Sequence, residues 1–252
     1  MRKIVAASWF DFATHFEGYC DFMYLDVKSL VTCAVGNLID PMSAALTLLF
    51  KRSDGTPATQ KEIADEWLRV KHDAALNPLN GGGQYRKITK LRLSPDDIRT
   101  LVRKRAIEMW GDLRTRFGSA ENWPANAQMG TLSMAWALGQ HFHRTYPKFA
   151  AAADAGDFAM MAWECTYRAD NESAKQRVAT NQRLFMAAAR DVSESRDYDA
   201  IADWKASLND DPPHRPAAPT VPDLTTGDIA AANHKSIQAI VDEHEPPEFE
   251  DE

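Results

Sequence analysis

The sequence predicts an α+β fold that is mostly α, with a small N-terminal β-hairpin and a helical bundle around a buried central helix. Apolar residues recur at three- and four-residue steps over much of the chain, as one face of a helix requires. Residues 22–38, rich in Tyr, Val, Leu and Thr, surround the polar turn Asp26–Ser29 and indicate a hairpin. Residues 124–139 are apolar on most faces, which indicates the buried central helix.

The other helices are predicted from the spacing of apolar residues and from the capping residues at helix ends. The first helix, 4–17, carries a regular apolar face, and Gly18 can supply its left-handed C-terminal turn. Ser94 followed by Pro95 is a strong helix start, since it combines a capping hydroxyl with a proline in the first turn. The segment 77–83 is predicted to be a loop, either a simple connector or a flap on the substrate side. Further helices are predicted over 43–50, 59–75, 94–117, 147–154, 157–168, 172–191 and 197–208, with a weak one over 226–242.

Charge divides the chain into two parts. Residues 206–252 contain eleven Asp and Glu side chains against Arg215 and Lys235, a net charge of −9, and the rest of the chain carries +2. We therefore predict one folded domain over 1–205 and a Pro-rich acidic tail over 206–252 that is largely mobile. Because an acidic tail repels phosphates, nucleic acid is not expected as a partner.

Composition also bears on compartment and cofactors. No apolar run approaches the roughly 20 residues of a membrane span, so none is expected. Charged residues between positions 11 and 17 interrupt the apolar N-terminal stretch, so we expect synthesis in the cytoplasm without a Sec signal peptide. The three cysteines lack metal-ligand spacing, and free thiols are favoured, although a bridge between Cys20 and Cys33 stays open. His141 and His143 lie at a predicted helix end, and neither a metal nor another cofactor is expected.

Two carboxylates and a hydroxyl bracket the predicted hairpin. Glu17 closes the first helix beside apolar residues, Asp26 lies at the turn, and Thr32 lies on the returning strand. Apolar walls disfavour the charged form of a carboxyl, which suits Glu17 to donating a proton. Each residue alone has an ordinary explanation, as a surface acid, a turn aspartate or a strand threonine. Together they indicate glycosidase chemistry, for which two carboxylates across a cleft are the usual equipment.

This segment resembles the phage-type lysozymes (glycoside hydrolase family 24-like muramidases), in which a Glu ends the first helix and an Asp and a Thr follow on a small hairpin. Eight residues separate Glu17 from Asp26 and five separate Asp26 from Thr32, as in that family. Later segments are similar to the family's helices, namely Leu93–Asp97, Trp123–Gly139, Ala155–Phe158 and Asn181–Phe185. The longer, diverged form is similar to lysozyme-like antibacterial effectors and bacteriocin toxins.

The resemblance implies a lysozyme-like fold and hydrolysis of the β-1,4 bond between N-acetylmuramic acid and N-acetylglucosamine in peptidoglycan. Glu17 would then be the general acid. Asp26 would position the attacking water or stabilise the oxocarbenium-like transition state, and Thr32 would help to hold that water.

Substrate-binding roles are implied for two further positions. Tyr24 shares a strand face with Asp26 and would line the cleft. On a late helix, either Arg183 or Arg177 would hold Glu17 or contact glycan, and surface salt bridging is the alternative for both.

The resemblance also implies a setting. Peptidoglycan is the expected substrate, in the periplasm of a target or host bacterium, after delivery by phage lysis or by a secretion system such as type VI. A cognate immunity protein and a loading partner are expected for the second route. The family usually has glycine where this chain has Lys28-Ser29 and Ala34, and often histidine where it has Asn37. These differences keep open a lysozyme-fold module that binds glycan or protein without cleavage, and, third, a chitinase-like enzyme.

Overall fold

The computed structural model describes residues 1–72, 84–206 and 208. Its fold is α+β and mostly α, as predicted, with a small three-stranded antiparallel sheet in the order β1-β2-β3. The strands are β1 (Cys20–Leu25), β2 (Val31–Ala34) and β3 (Asn37–Leu38). The helices are α1 (Lys3–Glu17), α2 (Met42–Ala45), α3 (Gln60–His72), α4 (Tyr85–Ile88), α5 (Pro95–Arg116), α6 (Ala125–Leu138), α7 (Pro147–Ala155), α8 (Phe158–Glu164) and α9 (Glu172–Ser193).

The predicted hairpin is confirmed and carries a third, short strand. Tyr24 on β1 lies opposite Thr32 on β2, and Thr32 also lies opposite Leu38 on β3. The tight reversal between β2 and β3 passes through Ala34 and Gly36, both of which have a positive φ. Glycine adopts that conformation readily, which allows the chain to turn back within two residues.

The predicted central helix is confirmed as α6, which is buried from Ala125 to Trp136. The helix α9 packs so closely on α6 that a Cβ added at Gly130 would lie 2.8 Å from Phe185. From the other side α1 meets α6 through Trp9 and Trp136, whose ring centroids are 5.3 Å apart. The apolar core therefore centres on α6, with α1 and α9 against it.

Two predicted helices differ from the structure in the first two thirds of the chain. The one expected over 43–50 is a single turn, Met42–Ala45, because Lys51 exchanges backbone hydrogen bonds with Arg92 at 2.8 and 2.9 Å, which favours an extended chain. The one expected over 157–168 ends at Glu164. By contrast, α5 begins where predicted, with the Ser94 hydroxyl accepting a hydrogen bond from an N–H of the first turn.

The helix predicted over 197–208 is wrong where the structure describes that segment. Its backbone bonds to the start of α6 instead: the N–H of Ala125 donates to the carbonyl of Tyr198 at 2.8 Å, and the N–H of Ala202 donates to Asn126 Oδ1 at 2.8 Å. Trp204 is buried against Phe12, with ring centroids 4.9 Å apart. Those remote contacts satisfy the backbone that a helix would satisfy internally.

Several expectations fall on residues outside the described ranges. These are the end of the helix over 59–75, the loop over 77–83, the weak helix over 226–242 and the acidic tail. Within the described ranges, no helix is both long and apolar enough to span a membrane. All three cysteines are free thiols, which agrees with the favoured expectation.

Candidate active site

Glu17 is the last residue of α1, and Gly18 turns the chain away with φ 77°. One oxygen of the Glu17 carboxylate accepts a hydrogen bond from Arg177 Nη1 at 2.6 Å. The Arg177 side chain is only 7% exposed, against 25% for Glu17, and its guanidinium lies over the Phe16 ring at 5.1 Å. The hydrogen-bond partner of the Glu17 carboxylate is therefore a cation from α9, and of the two arginines considered for this role it is Arg177.

The turn between β2 and β3 lies directly against Glu17. A Cβ added at Gly36 would be 3.2 Å from Glu17 Oε2 and 3.4 Å from its carboxyl carbon. Gly36 has φ 66°, so a side chain there would meet both backbone strain and the carboxylate. Arg105 Nη1 donates a hydrogen bond to the Gly36 carbonyl at 2.9 Å, which ties this turn to α5.

Asp26 caps the turn that joins β1 to β2. Its Oδ1 accepts hydrogen bonds from the N–H groups of Lys28 at 2.8 Å and Leu30 at 2.9 Å. Aspartate commonly bonds its own turn in this way. Asp26 is half-buried, and at least one of its two carboxylate oxygens serves the hairpin.

Tyr24 lies on β1, two residues before Asp26. It lies opposite Thr32, so the two side chains share one face of the sheet. Burial is the main cause that raises the pKa of Tyr24, and the charges of Glu17 and Asp26 act in the same direction. Tyr24, Asp26 and Thr32 thus belong to one short hairpin that follows directly on Glu17 in the chain.

Thr32 is buried on β2, and Arg183 lies on α9. Thr32 is 4% exposed, and its hydroxyl donates to the Leu30 carbonyl at 3.3 Å. Arg183 follows Arg177 by six residues on α9, which places it about 240° around the helix and on a different face. Of the two late arginines, Arg177 is the one that holds Glu17, and the glycan-binding role of Arg183 stays a prediction.

Sequence reasoning missed two residues near Glu17. One is Arg105, and the other is Tyr167, beyond the end of α8. Burial raises the pKa of Tyr167 to about 12, against the opposing charge of Arg177 and with a smaller reinforcing influence from Glu17. Both residues are far from Glu17 in sequence, so no local pattern connects them with the hairpin.

A cleft of about 910 Å³ begins beside the hairpin and runs between the β3–α2 segment, α5 and the end of α6. Asn37, next to Gly36, and Arg105 are both part of its lining. Other lining residues are Leu38, Leu49, Leu101, Lys104, Leu138 and His141. Among the described residues, Glu17, Asp26 and Tyr24 do not line this cleft, so the hairpin site and the cleft meet at the Gly36–Asn37 turn.

The site offers carboxyl, hydroxyl and guanidinium groups. His141 lines the cleft, and its ring centroid lies 6.1 Å from that of His143. In the part of the chain that the structure describes, no three His, Cys, Asp or Glu side chains converge as a metal site requires. A half-buried carboxyl with a fixed cation beside it is suited to proton transfer and to stabilising charge. Comparison of the chain with family models, curated proteins and solved structures finds no match.

Proposed function

We propose that this protein is a muramidase that hydrolyses the β-1,4 bond between N-acetylmuramic acid and N-acetylglucosamine in bacterial peptidoglycan. The observation that carries the proposal is the placement of Glu17, which ends α1 directly before the hairpin and is held by Arg177 at 2.6 Å. Asp26 lies on the turn of the same hairpin. Two carboxyl groups at one site are the chemical requirement of glycoside hydrolysis. The resemblance of the segment to phage-type lysozymes, with Glu17, Asp26 and Thr32 at the family's spacing, supports the same conclusion.

In the proposed reaction, Glu17 protonates the leaving glycosidic oxygen. Arg177, at 2.6 Å, then stabilises the carboxylate that the departing proton leaves behind. Asp26 stabilises the developing positive charge on the sugar or orients the attacking water, and Thr32 helps to hold that water. No cofactor enters the proposed steps.

The proposed setting follows from the same resemblance. The enzyme acts in the periplasm of a target or host bacterium, delivered by phage lysis or by a secretion system such as type VI. A cognate immunity protein and a secretion-system loading partner belong to the second route. The acidic tail, with its net charge of −9, is a candidate surface for such a loading partner.

A specific observation favours a second candidate, a lysozyme-fold module that binds glycan or protein without cleaving it. Asp26 Oδ1 accepts two hydrogen bonds within its own turn, and the Thr32 hydroxyl donates to the Leu30 carbonyl. Both groups therefore have structural tasks inside the hairpin. In a binding module, the Asp26 carboxylate and the Thr32 hydroxyl would only stabilise the hairpin. In a muramidase they would also contact the attacking water and the sugar.

To test this proposal, purified peptidoglycan is digested with the wild-type protein and with the Glu17→Gln variant. The released muropeptides are then identified by mass spectrometry. We expect the variant to lose about 10²- to 10⁴-fold in rate, as loss of a general acid predicts. Glu172→Gln is the matched control, because Glu172 is exposed in the first turn of α9 and pairs only loosely with Lys175, at 3.7 Å.

The outcomes separate the candidates. Equal rates for wild type and Glu17→Gln would remove the catalytic assignment. Sedimentation of both proteins with peptidoglycan, with no new reducing ends, would favour the binding module. New reducing ends from chitin rather than from peptidoglycan would favour the chitinase-like alternative.

A further inference from the structure

Arg105 joins the cleft to the hairpin. It lies on α5, it is half-buried, and it is part of the cleft lining. Its Nη1 donates a hydrogen bond at 2.9 Å to the carbonyl of Gly36, which is 69 residues away in sequence. No function proposed so far uses this side chain.

The guanidinium of Arg105 is itself held in place. Its central carbon lies 4.7 Å from the ring centre of Trp136, a buried residue of the central helix α6. Arginine stacks flat on aromatic rings and donates in a fixed planar fork, so a ring on one side and a carbonyl on another restrict its orientation. Burial lowers the pKa of Arg105 and the nearby charge of Glu17 acts in the opposite direction, but an arginine stays charged throughout the physiological range.

The carbonyl that Arg105 holds belongs to the residue that touches Glu17. A Cβ added at Gly36 would be 3.2 Å from Glu17 Oε2, so the turn has almost no free space on the carboxyl side. The contacts thus run from Trp136 through Arg105 and Gly36 to the Glu17 carboxyl. A movement of the Gly36 turn would change both the position of that carboxyl and the charge around it.

We propose that Arg105 is a positioning residue of this site, which holds the Gly36 turn against Glu17 and places a second positive charge near the carboxyl. The catalytic part of this inference rests on the proposed muramidase function. Arg105 acts through Gly36 and through its charge, so no contact with substrate is required. The ionisable groups that face Glu17 from the elements packed around it are Arg177 from α9, Arg105 from α5, Tyr24 from β1 and Tyr167 from the segment after α8.

The test compares Arg105→Gln, which removes the charge, with Arg105→Lys, which keeps the charge but loses the planar fork. Arg105→Gln is expected to lower kcat by roughly 10- to 100-fold with little change in KM, as misplacement of a catalytic group predicts. It should also move the basic limb of the pH profile of kcat/KM to higher pH, because removing a positive charge makes a nearby proton harder to lose. Arg105→Lys should lower kcat less and leave the limb in place.

The matched control is Arg103→Gln, which removes the same charge two residues away on α5 from an exposed position. We expect it to leave kcat and the pH profile unchanged. If Arg105→Gln keeps the wild-type kcat and pH profile, the inference is overturned while the muramidase function stands. A lower melting temperature with no movement of the limb would assign Arg105 a purely structural role and would also overturn it.

A second measurement works without substrate. Amide hydrogen exchange of the peptide that covers residues 31–38 should be faster in Arg105→Gln than in wild type and in Arg103→Gln, because the Gly36 carbonyl loses its donor. If the wild type is inactive on peptidoglycan but this difference is present, the proposed function fails and the Arg105 contact stands. Equal exchange in all three proteins would remove the contact itself, whatever the activity.

Discussion

Around the hairpin, ion pairs from distant elements hold individual charged side chains, whereas between α1, α6 and α9 aromatic and small apolar side chains are closely packed. In the hairpin region, residues 17–40, Glu17 is held by Arg177, and Asp40 is held by Lys71 at 2.5 Å. In the helical core, Gly130 admits the ring of Phe185 with no room for a methyl group. The helix α1 connects the two regions, because most of it packs in the helical core and its last residue, Glu17, belongs to the hairpin region.

The two kinds of contact contribute differently to the protein. Apolar packing is not directional, and it stabilises the fold in proportion to the area removed from water. Hydrogen bonds and ion pairs are directional, and they fix the position of individual charged groups. The candidate site lies in the hairpin region, where hydrogen bonds and ion pairs hold Glu17. Substitutions in the helical core should therefore change the free energy of unfolding. Substitutions around the hairpin should change the position of the Glu17 carboxyl and the charge around it.

The largest effect on stability is expected from Trp204→Ala. Trp204 is buried against the last turns of α1, with ring centroids 4.9 Å from Phe12 and 5.3 Å from His15. Loss of a buried tryptophan should lower the free energy of unfolding by about 3–5 kcal/mol, measured by urea denaturation. Leu49→Ala, at an exposed position, should change it by less than about 0.5 kcal/mol. A loss below about 1 kcal/mol for Trp204→Ala would mean that the segment after α9 does not belong to the helical core.

A smaller loss is expected from Gly130→Ala. Its new Cβ would lie 2.8 Å from the Phe185 ring, and such overpacking costs about 1–3 kcal/mol. Gly111→Ala is the matched control on α5, where the added methyl has nothing within 4 Å, so it should stabilise by up to about 1 kcal/mol through helix propensity. Thermal unfolding should therefore show shifts of opposite sign. Two shifts of the same sign would contradict the close fit between α6 and α9.

The smallest effect is expected in the hairpin region, from Asp40→Asn. A hydrogen bond from Lys71 is the main cause that lowers the pKa of the Asp40 carboxyl. Because the folded-state pKa lies below the ordinary value of about 3.9, the stabilisation is complete above that value and is lost as the pH falls through the lower one. Asp40→Asn should cost about 1 kcal/mol at neutral pH and much less near pH 2.

Urea denaturation of both proteins at several pH values checks this prediction. Asp65→Asn is the control, because the exposed pair of Asp65 with Lys61 should contribute little at any pH. A difference between wild type and Asp40→Asn that stays constant from neutral to acidic pH would show that charge is not its source.

Local sequence was enough to predict most of the fold. The apolar faces of α1 and α9, the even hydrophobicity of α6 and the Ser94 cap are all set by residues within a few turns of one another. The helix expected over 43–50 is shorter than predicted and the one over 197–208 is wrong, because backbone groups in both segments bond to distant partners. Lys51 bonds to Arg92, and Tyr198 bonds to the start of α6.

Some residues of the candidate site could be predicted from local sequence, and others could not. Glu17, Tyr24, Asp26 and Thr32 lie within 16 residues, so their spacing could be recognised in the sequence and the hairpin could be predicted to gather them. Arg177 was one of two open choices on a late helix. Arg105 and Tyr167 carried no signal, because nothing local relates them to Glu17.

Periodicity and turn chemistry act over a few residues, so they were enough to predict a carboxylate at the end of the first helix, a second on the following turn and an apolar helix at the centre. The cations beside Glu17 and the donor that holds the Gly36 turn became known only from the folded chain. Those contacts join residues 160 and 69 positions apart, and only the packing of α1, α5, α6 and α9 determines which side chains meet.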